Sequence, residues 1–504
     1  MSVSVDTRKA GRREWMGLAV LVLPCLLVAM DLTVLNLAVP SLSAALAPSA
    51  SQLLWIVDIY GFLIAGSLIT MGTLGDRIGR RRLLLMGAAA FGAASVLAAF
   101  APSAGTLIAA RAVLGVAGAT LMPSTLSLIR NMFHDPSQRT TAIGIWTTSF
   151  SIGGILGPLL GGMLLAHFWW GSVFLLSVPA MALLLLLGPM LLPEFREAER
   201  GRFDIPSAAL SLLAILAAIF GVKRIAEHGL GLTPLASIGL GVLLGAAFIR
   251  RQRRLEDPLI DLALFERAAF SASLGVNTLA FFVMYGVFLF MAQYLQLVLG
   301  LSPLAAGLWT VPSSGAFIVG SLLTPVVLRR VRPWRMMAGG LIISAMGLLV
   351  LTWVDGEYGL PPILIGSIVV LLGLAPVYIL ATDLIVASAP PERAGAASAM
   401  SETSAELGGA LGIAILGSVG AAVYRGMMAA ALPAGVPADK AEAARATLGG
   451  ALSAAESIGG PQAVELMARA REAFAQGLEV TAVIGAAVVL AAAMAAALTL
   501  RRVA

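Results

Sequence analysis

Two apolar runs, Leu53 to Leu74 and Leu83 to Phe100, are joined by the stretch GTLGDRIGRRRL, Gly72 to Leu83. The joint carries an acid, Asp76, and four arginines, Arg77, Arg80, Arg81 and Arg82. A hydrocarbon core about 30 Å thick needs about 20 apolar residues of helix to cross it. An arginine-rich loop between two such helices stays on the cytoplasmic side. This loop therefore sets the direction of every other span. A soluble helix-helix turn would not be flanked by runs this long and this apolar.

The rest of the composition follows from that. Of the 504 residues 59% are hydrophobic and 12% are charged, where a soluble domain has about 25% charged. The net charge of +6 sits in short loops, so it reads as membrane topology and not as a nucleic-acid surface. One cysteine, Cys25, excludes an intramolecular disulfide or a cysteine-based metal site. The three histidines, His134, His167 and His228, have no ligand spacing.

Along the chain, residues 1–15 are polar and basic, and Met16 to Pro40 is the first span. It has no small-residue cleavage site after a short apolar core, which predicts a retained helix. Five more spans follow up to Leu192, with Arg130 to Arg139 as a second cytoplasmic loop. Two further spans, Ile205 to Val222 and Leu235 to Ile249, are joined by a loop holding Lys223 and Arg224, which breaks the charge rule. After the basic linker Arg250 to Arg267, six more spans are expected near 268–298, 304–328, 334–354, 361–386, 394–424 and 478–500. The plan is an all-α polytopic protein with both termini cytoplasmic. It has a cytoplasmic N-terminus 1–15, an N-terminal six-helix bundle 16–193 and two inserted transmembrane helices with their linkers, 194–267. A C-terminal six-helix bundle 268–500, including an external segment 426–477, and a cytoplasmic C-terminus 501–504 complete it. Ala438 to Leu452 and Gln462 to Phe474 have helical composition and predict a hairpin over the outer vestibule, one that folding of the rest does not require.

A weak internal repeat supports two halves. Arg77 and Arg330, Arg82 and Arg335, and Gly87 and Gly340 share one offset. Two such halves around a midplane site are the architecture of secondary transporters.

Four motifs now carry a resemblance. Besides the loop Gly72 to Leu83 there are DLTVLNLAVP from Asp31 to Pro40, RAVLGVAG from Arg111 to Gly118, and GGILGPLLGG from Gly153 to Gly162. With fourteen spans, the chain resembles the drug:proton antiporters of the major facilitator superfamily of the QacA, SmvA and LfrA type. The family has Trp-Arg-Trp or similar after span 5, where this chain has Trp169-Trp170-Gly171. The resemblance implies two six-helix bundles plus two inserted helices, in the inner membrane. It also implies export of lipophilic, cationic small molecules in exchange for protons, by a monomer and without an enzymatic step. Export of an endogenous solute such as a lipid or siderophore is the alternative, and a non-transporting receptor on the same scaffold is a more distant one. No G-x-x-x-x-G-K-[ST] pattern is present, so nothing suggests ATP binding. The expected energy source is a proton gradient, with no cofactor and no metal.

The membrane-embedded charges are functional candidates by default. At 1.5 Å per residue, Asp31 lies about 22 Å along span 1 from the inside and Arg111 about 9 Å along span 4 from the outside. Their heights match, and a pair is expected, either a static ion pair or a proton-exchanging acid tuned by Arg111. Glu402 and Glu406 are one turn apart on span 13 and share a face. Two carboxylates close together in low dielectric resist joint ionisation, which suits proton coupling and capture of a cation. The alternative for them is an acid that faces a polar cavity and binds water. Asp383 is expected at the inner interface.

Candidate substrate contacts are Asp31, Asp58, Trp55, Tyr60, Met284, Tyr285, Trp309, Tyr378 and Glu406, because aromatic and methionine surfaces suit promiscuous binding of organic cations. Any one of them could equally be lipid-facing. Candidate gating residues are Gly72, Asp76, Arg77, Gly79, Arg80 and Arg130 in the loops, and Gly153, Gly157, Pro158 and Gly161 in the kinked, glycine-rich span 5. Asp76 is expected to dock against the start of span 13, near Pro391 to Ala394, with Arg130 close by.

Overall fold

The computed structural model describes residues 9–46, 48, 50–195, 204–228, 230–255, 258–260, 262–301, 303–354, 359–390, 393–433 and 436–501. Each segment too apolar to stay in water must satisfy its own backbone in the bilayer, so the described residues form helices. The first six are α1 (Arg12–Leu46), α2 (Ala50–Ile78), α3 (Arg80–Ala99), α4 (Ala104–Met132), α5 (Pro136–His167) and α6 (Ser177–Leu191). Then come α7 (Ile205–His228), α8 (Leu232–Gln252), α9 (Ala268–Gln293), α10 (Pro303–Leu328), α11 (Pro333–Val350) and α12 (Leu360–Ser388). The chain ends with α13 (Ala394–Ala431), α14 (Ala438–Ala446), α15 (Leu448–Ile458) and α16 (Gly460–Leu500). Thirteen of these are long and apolar enough to cross a membrane, and Ile205–Gly221 of α7 is a shorter apolar stretch. Lys223 and Arg224, the pair that broke the charge rule, end that stretch while the helix itself continues to His228.

Local chemistry sets the helix ends. Ser103 caps α4 by accepting from the Thr106 amide at 3.2 Å, and Asp135 caps α5 through the Gln138 amide at 2.9 Å, ahead of Pro136. Such side chains satisfy amides that have no partner inside the helix. Gly79 separates α2 from α3 with φ of 109°. Only glycine adopts that backbone freely, and a Cβ there would also lie 2.6 Å from the Glu194 carboxylate.

The two halves repeat one packing scheme. In the first, α1 packs on α5 and α6, and α4 on α2 and α3, with α3 on α6. In the second, α9 packs on α13 and α16, and α12 on α10 and α11, with α11 on α16. The repeat in sequence has a counterpart in packing. Gly87 lies against Ala117 and Thr120 of α4, and Gly340 against Gly373 and Val377 of α12. Each half has its own apolar core. The inserted α7 touches α2 of one half and α13 of the other. The linker after α8 puts Leu259, Ile260 and Leu264 into a core with Ile69, Ile385, Ala397 and Met400. It is clasped by Gln252, whose Oε1 accepts from the Leu259 amide at 2.7 Å.

The segment between α13 and the last span differs from the expected hairpin. Thr447 caps α15 and splits the first predicted helix into α14 and α15. Gln462 to Phe474 is no second arm but the start of α16, which runs unbroken for 41 residues. Glycines at positive φ, Gly459 and Gly460, turn the chain into it. Ala444, Leu448, Ala451 and Ala455 are buried with Leu466, Ala470 and Phe474 in the core of the second half. The Tyr424 hydroxyl donates to the Ala444 carbonyl at 2.8 Å. The segment is therefore a cap fixed to one half, with buried side chains that the rest of that half packs against.

Candidate functional site

Between the halves lies a cavity of about 530 Å³. Its walls come from α1, α2, α4 and α5 on one side and α9, α10, α12 and α13 on the other. Glu402 and Glu406 are the charged residues in the lining. Phe150, Phe281, Tyr285, Phe317 and Tyr378 supply aromatic rings, and Met122 and Met284 supply thioethers. The rings are mutually ordered. Phe281 stands edge-on to Tyr378 at 5.1 Å between centroids and stacks with Tyr285 at 6.0 Å. Glu402 is buried, and the Tyr378 hydroxyl donates to its Oε1 at 3.4 Å.

The second acidic centre is inside the first half. Arg111 Nη1 lies 3.2 Å from Asp31 Oδ2, and its guanidinium carbon is 5.0 Å from the centroid of the Tyr60 ring. Sequence explains how α4 delivers this arginine. In RAVLGVAG, Gly115 lies against the Tyr60 carbonyl and Gly118 against Ile64, so α4 and α2 approach backbone to backbone. Arg111, on the same helix, then reaches across to α1.

In α5, Gly153 and Gly161 lie against α1 at Leu26, Ala29 and Val34, and Gly157 is buried. Gly154, next along, lines the cavity and has open space where a side chain would be. The glycine-rich motif thus gives one face to tight packing and the other to the cavity. The side chain of Pro158 lies outside the described residues, as does that of Asp58.

At the arginine-rich end the halves are joined. Asp76 and Arg80 form a buried ion pair one turn apart, and the Arg80 guanidinium lies against Gly395 in the first turn of α13. A Cβ on Gly72 would lie 2.5 Å from the Gly395 carbonyl oxygen. Arg77 is half-buried beside them. Pro391 and Glu392, part of the expected dock, lie outside the described residues. Arg130 donates to the carbonyls of Val386 and Ala389 at the end of α12. Arg139 of α5 pairs with Asp383 of α12 at 2.8 Å, and the Thr140 hydroxyl donates to the same carboxylate at 3.3 Å.

The structure gathers Met284, Tyr285, Tyr378, Glu402 and Glu406 around the cavity, and holds Asp31, Arg111 and Tyr60 together beside it. Trp55 and Trp309 are outside the lining and 42% and 40% exposed. Phe150 and Phe317, which the sequence reasoning did not single out, are lining residues. So was the partnership of Arg139 with Asp383 missed, since nothing in sequence links residues on α5 and α12. The Trp169-Trp170-Gly171 departure has a local cause. The Trp169 indole donates to the Ala99 carbonyl at 3.1 Å, and Gly171 lies directly against that carbonyl, with no room for a Cβ.

One ion pair belongs to the inserted helices. Asp204, just before α7, takes two hydrogen bonds from Arg251 at 2.9 Å. The Arg251 guanidinium holds its carboxyl below the usual carboxylate range.

Comparison with known proteins agrees with this geometry. The family model described as Major Facilitator Superfamily matches residues 21–413. The multidrug efflux pump LfrA of Mycolicibacterium smegmatis is 45% identical over 99% of this chain and 98% of its own length. The methyl viologen resistance protein SmvA of Salmonella typhimurium is 36% identical over 92% of this chain and 93% of its own. The crystal structure of the human organic anion transporter MFSD10 superposes with a TM-score of 0.61 over 94% of this chain and 99% of that one, at 15% identity, a likeness of fold alone. Repeated halves, a cavity between them and relatives matched over nearly their whole length place this chain in the major facilitator superfamily, as a multi-pass membrane transporter.

Proposed function

We propose that this protein exports lipophilic cations across the cell membrane in exchange for protons. The observation that carries it is the cavity. Two carboxylates one helical turn apart face a chamber of aromatic and methionine side chains, and no lysine or arginine is among its lining residues. Carboxylates and ring faces both attract organic cations, while the apolar wall favours lipophilic ones. The relatives named for multidrug efflux and methyl viologen resistance support the same reading.

The cycle follows from competition for the acids. A cation pairs with the ionised acid of Glu402 and Glu406 in one state. Proton binding to that acid neutralises it in the other and releases the cation. Asp31 and Arg111 tune the response of the first half. The arginine-rich end and both termini face the cytoplasm, by the charge rule. Arg130, Arg139 and Asp383 close that end in this reading, with Gly72 and the Asp76–Arg80 pair against α13 and Arg77 and Gly79 beside them. Gly153, Gly157, Pro158 and Gly161 let α5 shift against α1 as the closed end opens. The energy source is the proton gradient, no cofactor takes part, and the working unit is a monomer of two bundles with boundaries near 193 and 268.

The test is flux in vesicles of purified protein. An imposed proton gradient should drive ethidium accumulation, and a protonophore should collapse it. Ethidium movement indifferent to the gradient would sink the reading.

A further inference from the structure

The seam between α9 and α13 is a close contact of two backbones. Gly408 and Gly412 of α13 lie directly on the backbone carbonyls of Thr278 and Phe282 of α9. Gly286 of α9 lies against the Gly412 carbonyl and Leu416. Both sets recur every four residues, so the seam is a track of backbone on backbone. A Cβ in place of Gly408 or Gly412 would lie 2.3 Å or 2.0 Å from those carbonyl oxygens, so the glycines are what let the two backbones touch.

Asn277 adds a polar tie beside this seam. Its side chain is fully buried on α9, and its amide nitrogen donates to the Ser401 carbonyl at 3.1 Å and to the Ser404 hydroxyl at 2.9 Å. Ser401 immediately precedes Glu402. The Asn277 carbonyl oxygen has no hydrogen-bond partner among the described residues. A buried, half-satisfied amide costs free energy that a leucine of similar volume would not. Buried asparagines elsewhere in helical seams trade stability for register in this way.

We propose that Asn277 is a positioning residue that ties α13 to α9 at Ser401 and Ser404, on either side of Glu402, and so holds Glu402 against Tyr378 at the cavity. The inference rests on the functional reading above for its readout. The groups that face the two acids are Tyr378 from α12, Tyr285 from α9, Cys25 from α1 and Tyr60 from α2, besides each other. None of them is altered in the variants below.

The experiment compares Asn277→Leu, Ser404→Ala and Ser344→Ala in reconstituted vesicles. Ser344 makes a bridge of the same kind, its hydroxyl donating to the Val370 carbonyl at 3.0 Å across α11 and α12, away from the acids. Ethidium affinity and the pH midpoint of ethidium-driven proton release are read for each. Loss of both Asn277 bonds should weaken ethidium binding about tenfold, the scale of two ordinary hydrogen bonds, and move the pH midpoint. Ser404→Ala should do the same to a smaller extent, and Ser344→Ala should move neither. Wild-type affinity and midpoint in Asn277→Leu overturn the proposal. Equal effects from Ser344→Ala also overturn it, because any lost bridge would then suffice. Should Asn277→Leu fail to fold, Ser404→Ala decides, its unchanged midpoint counting against the positioning role. A wild-type protein that releases no protons with ethidium overturns the functional reading itself, before any variant is made.

Discussion

The two acidic centres sit on one repeated scaffold and are built in opposite ways. In the first half Asp31 faces a fixed cation, Arg111, backed by the Tyr60 ring and set apart from the cavity lining. In the second half Glu402 faces another acid, is met by a phenol, and opens onto the cavity. Asp31 and Arg111 stand on α1 and α4, whose partners in the repeat, α9 and α12, supply Tyr285 and Tyr378 instead. The duplicated packing thus carries unduplicated chemistry. Asp31 has its counter-charge beside it, whereas Glu402 and Glu406 share the cavity lining. We propose from this difference that the first centre holds the bundle together and tunes it, and that the second carries the exchange of proton for cation.

Breaking the paired centre should have the largest effect. Asp31→Asn leaves Arg111 buried with its counter-charge gone, a change that costs about 3–5 kcal/mol in other proteins. Export of every substrate should be lost, with a clear fall in melting temperature. Adding Arg111→Gln should recover part of the stability, and a double variant no more stable than Asp31→Asn would dissolve the comparison.

The centre of two acids should fail more selectively. Glu406→Gln removes one carboxylate from the cavity lining. Export of a dicationic dye should fall by about tenfold or more relative to a monocationic one, a difference of ~1.4 kcal/mol. Efflux of both dyes from cells at matched expression measures it. Wild-type rates for both would remove Glu406 from coupling.

The two tyrosines sharpen the contrast further. Tyr378→Phe deletes the hydroxyl that reaches Glu402, and an ordinary hydrogen bond is worth about 0.5–1.5 kcal/mol. Tyr60→Phe keeps the ring over Arg111 and removes a hydroxyl that has no hydrogen bond among the described residues. Ethidium affinity should drop several-fold in the first and distinctly less in the second.

A pair outside both centres gives the baseline. Arg251 lowers the Asp204 carboxyl in the folded protein. A depressed carboxylate contributes stability that is fully present above its unfolded value, about 3.9, and is lost as pH falls through the folded one. Thermal melting of Asp204→Asn should therefore match the wild type in strong acid and trail it slightly at neutral pH, with transport unaffected. A large effect on transport would mean that the inserted helices share in the exchange.

The charges were legible in the sequence because burial makes them costly. Few intramembrane ions are tolerated, so Asp31, Arg111, Glu402 and Glu406 stood out, and helical rise alone matched the heights of the first two. The aromatic side chains were not legible in the same way. Lipid and cavity wall are both apolar, so a helix apolar all round carries no pattern that separates Phe317, which lines the cavity, from Trp309, which does not. The pairing of Arg139 with Asp383 needed the bundles to be docked. The segment after α13 misled because its polarity suggested a loose external hairpin. Its alanines looked like helix formers in water, yet Ala444, Ala451 and Ala470 are close-packed core positions.

That cap has a mechanical consequence. The 41 residues of α16 extend about 60 Å at 1.5 Å per residue, roughly twice the hydrocarbon thickness. Much of the helix therefore stands clear of the bilayer as a mast, stayed by α14 and α15 and stepped in one half only. A few degrees of rocking at the cavity become a wide arc at its tip, near Gly460. A spin label there, paired with one at the outer end of α5 on the other half, would turn the alternation of the two halves into a distance large enough to follow in real time.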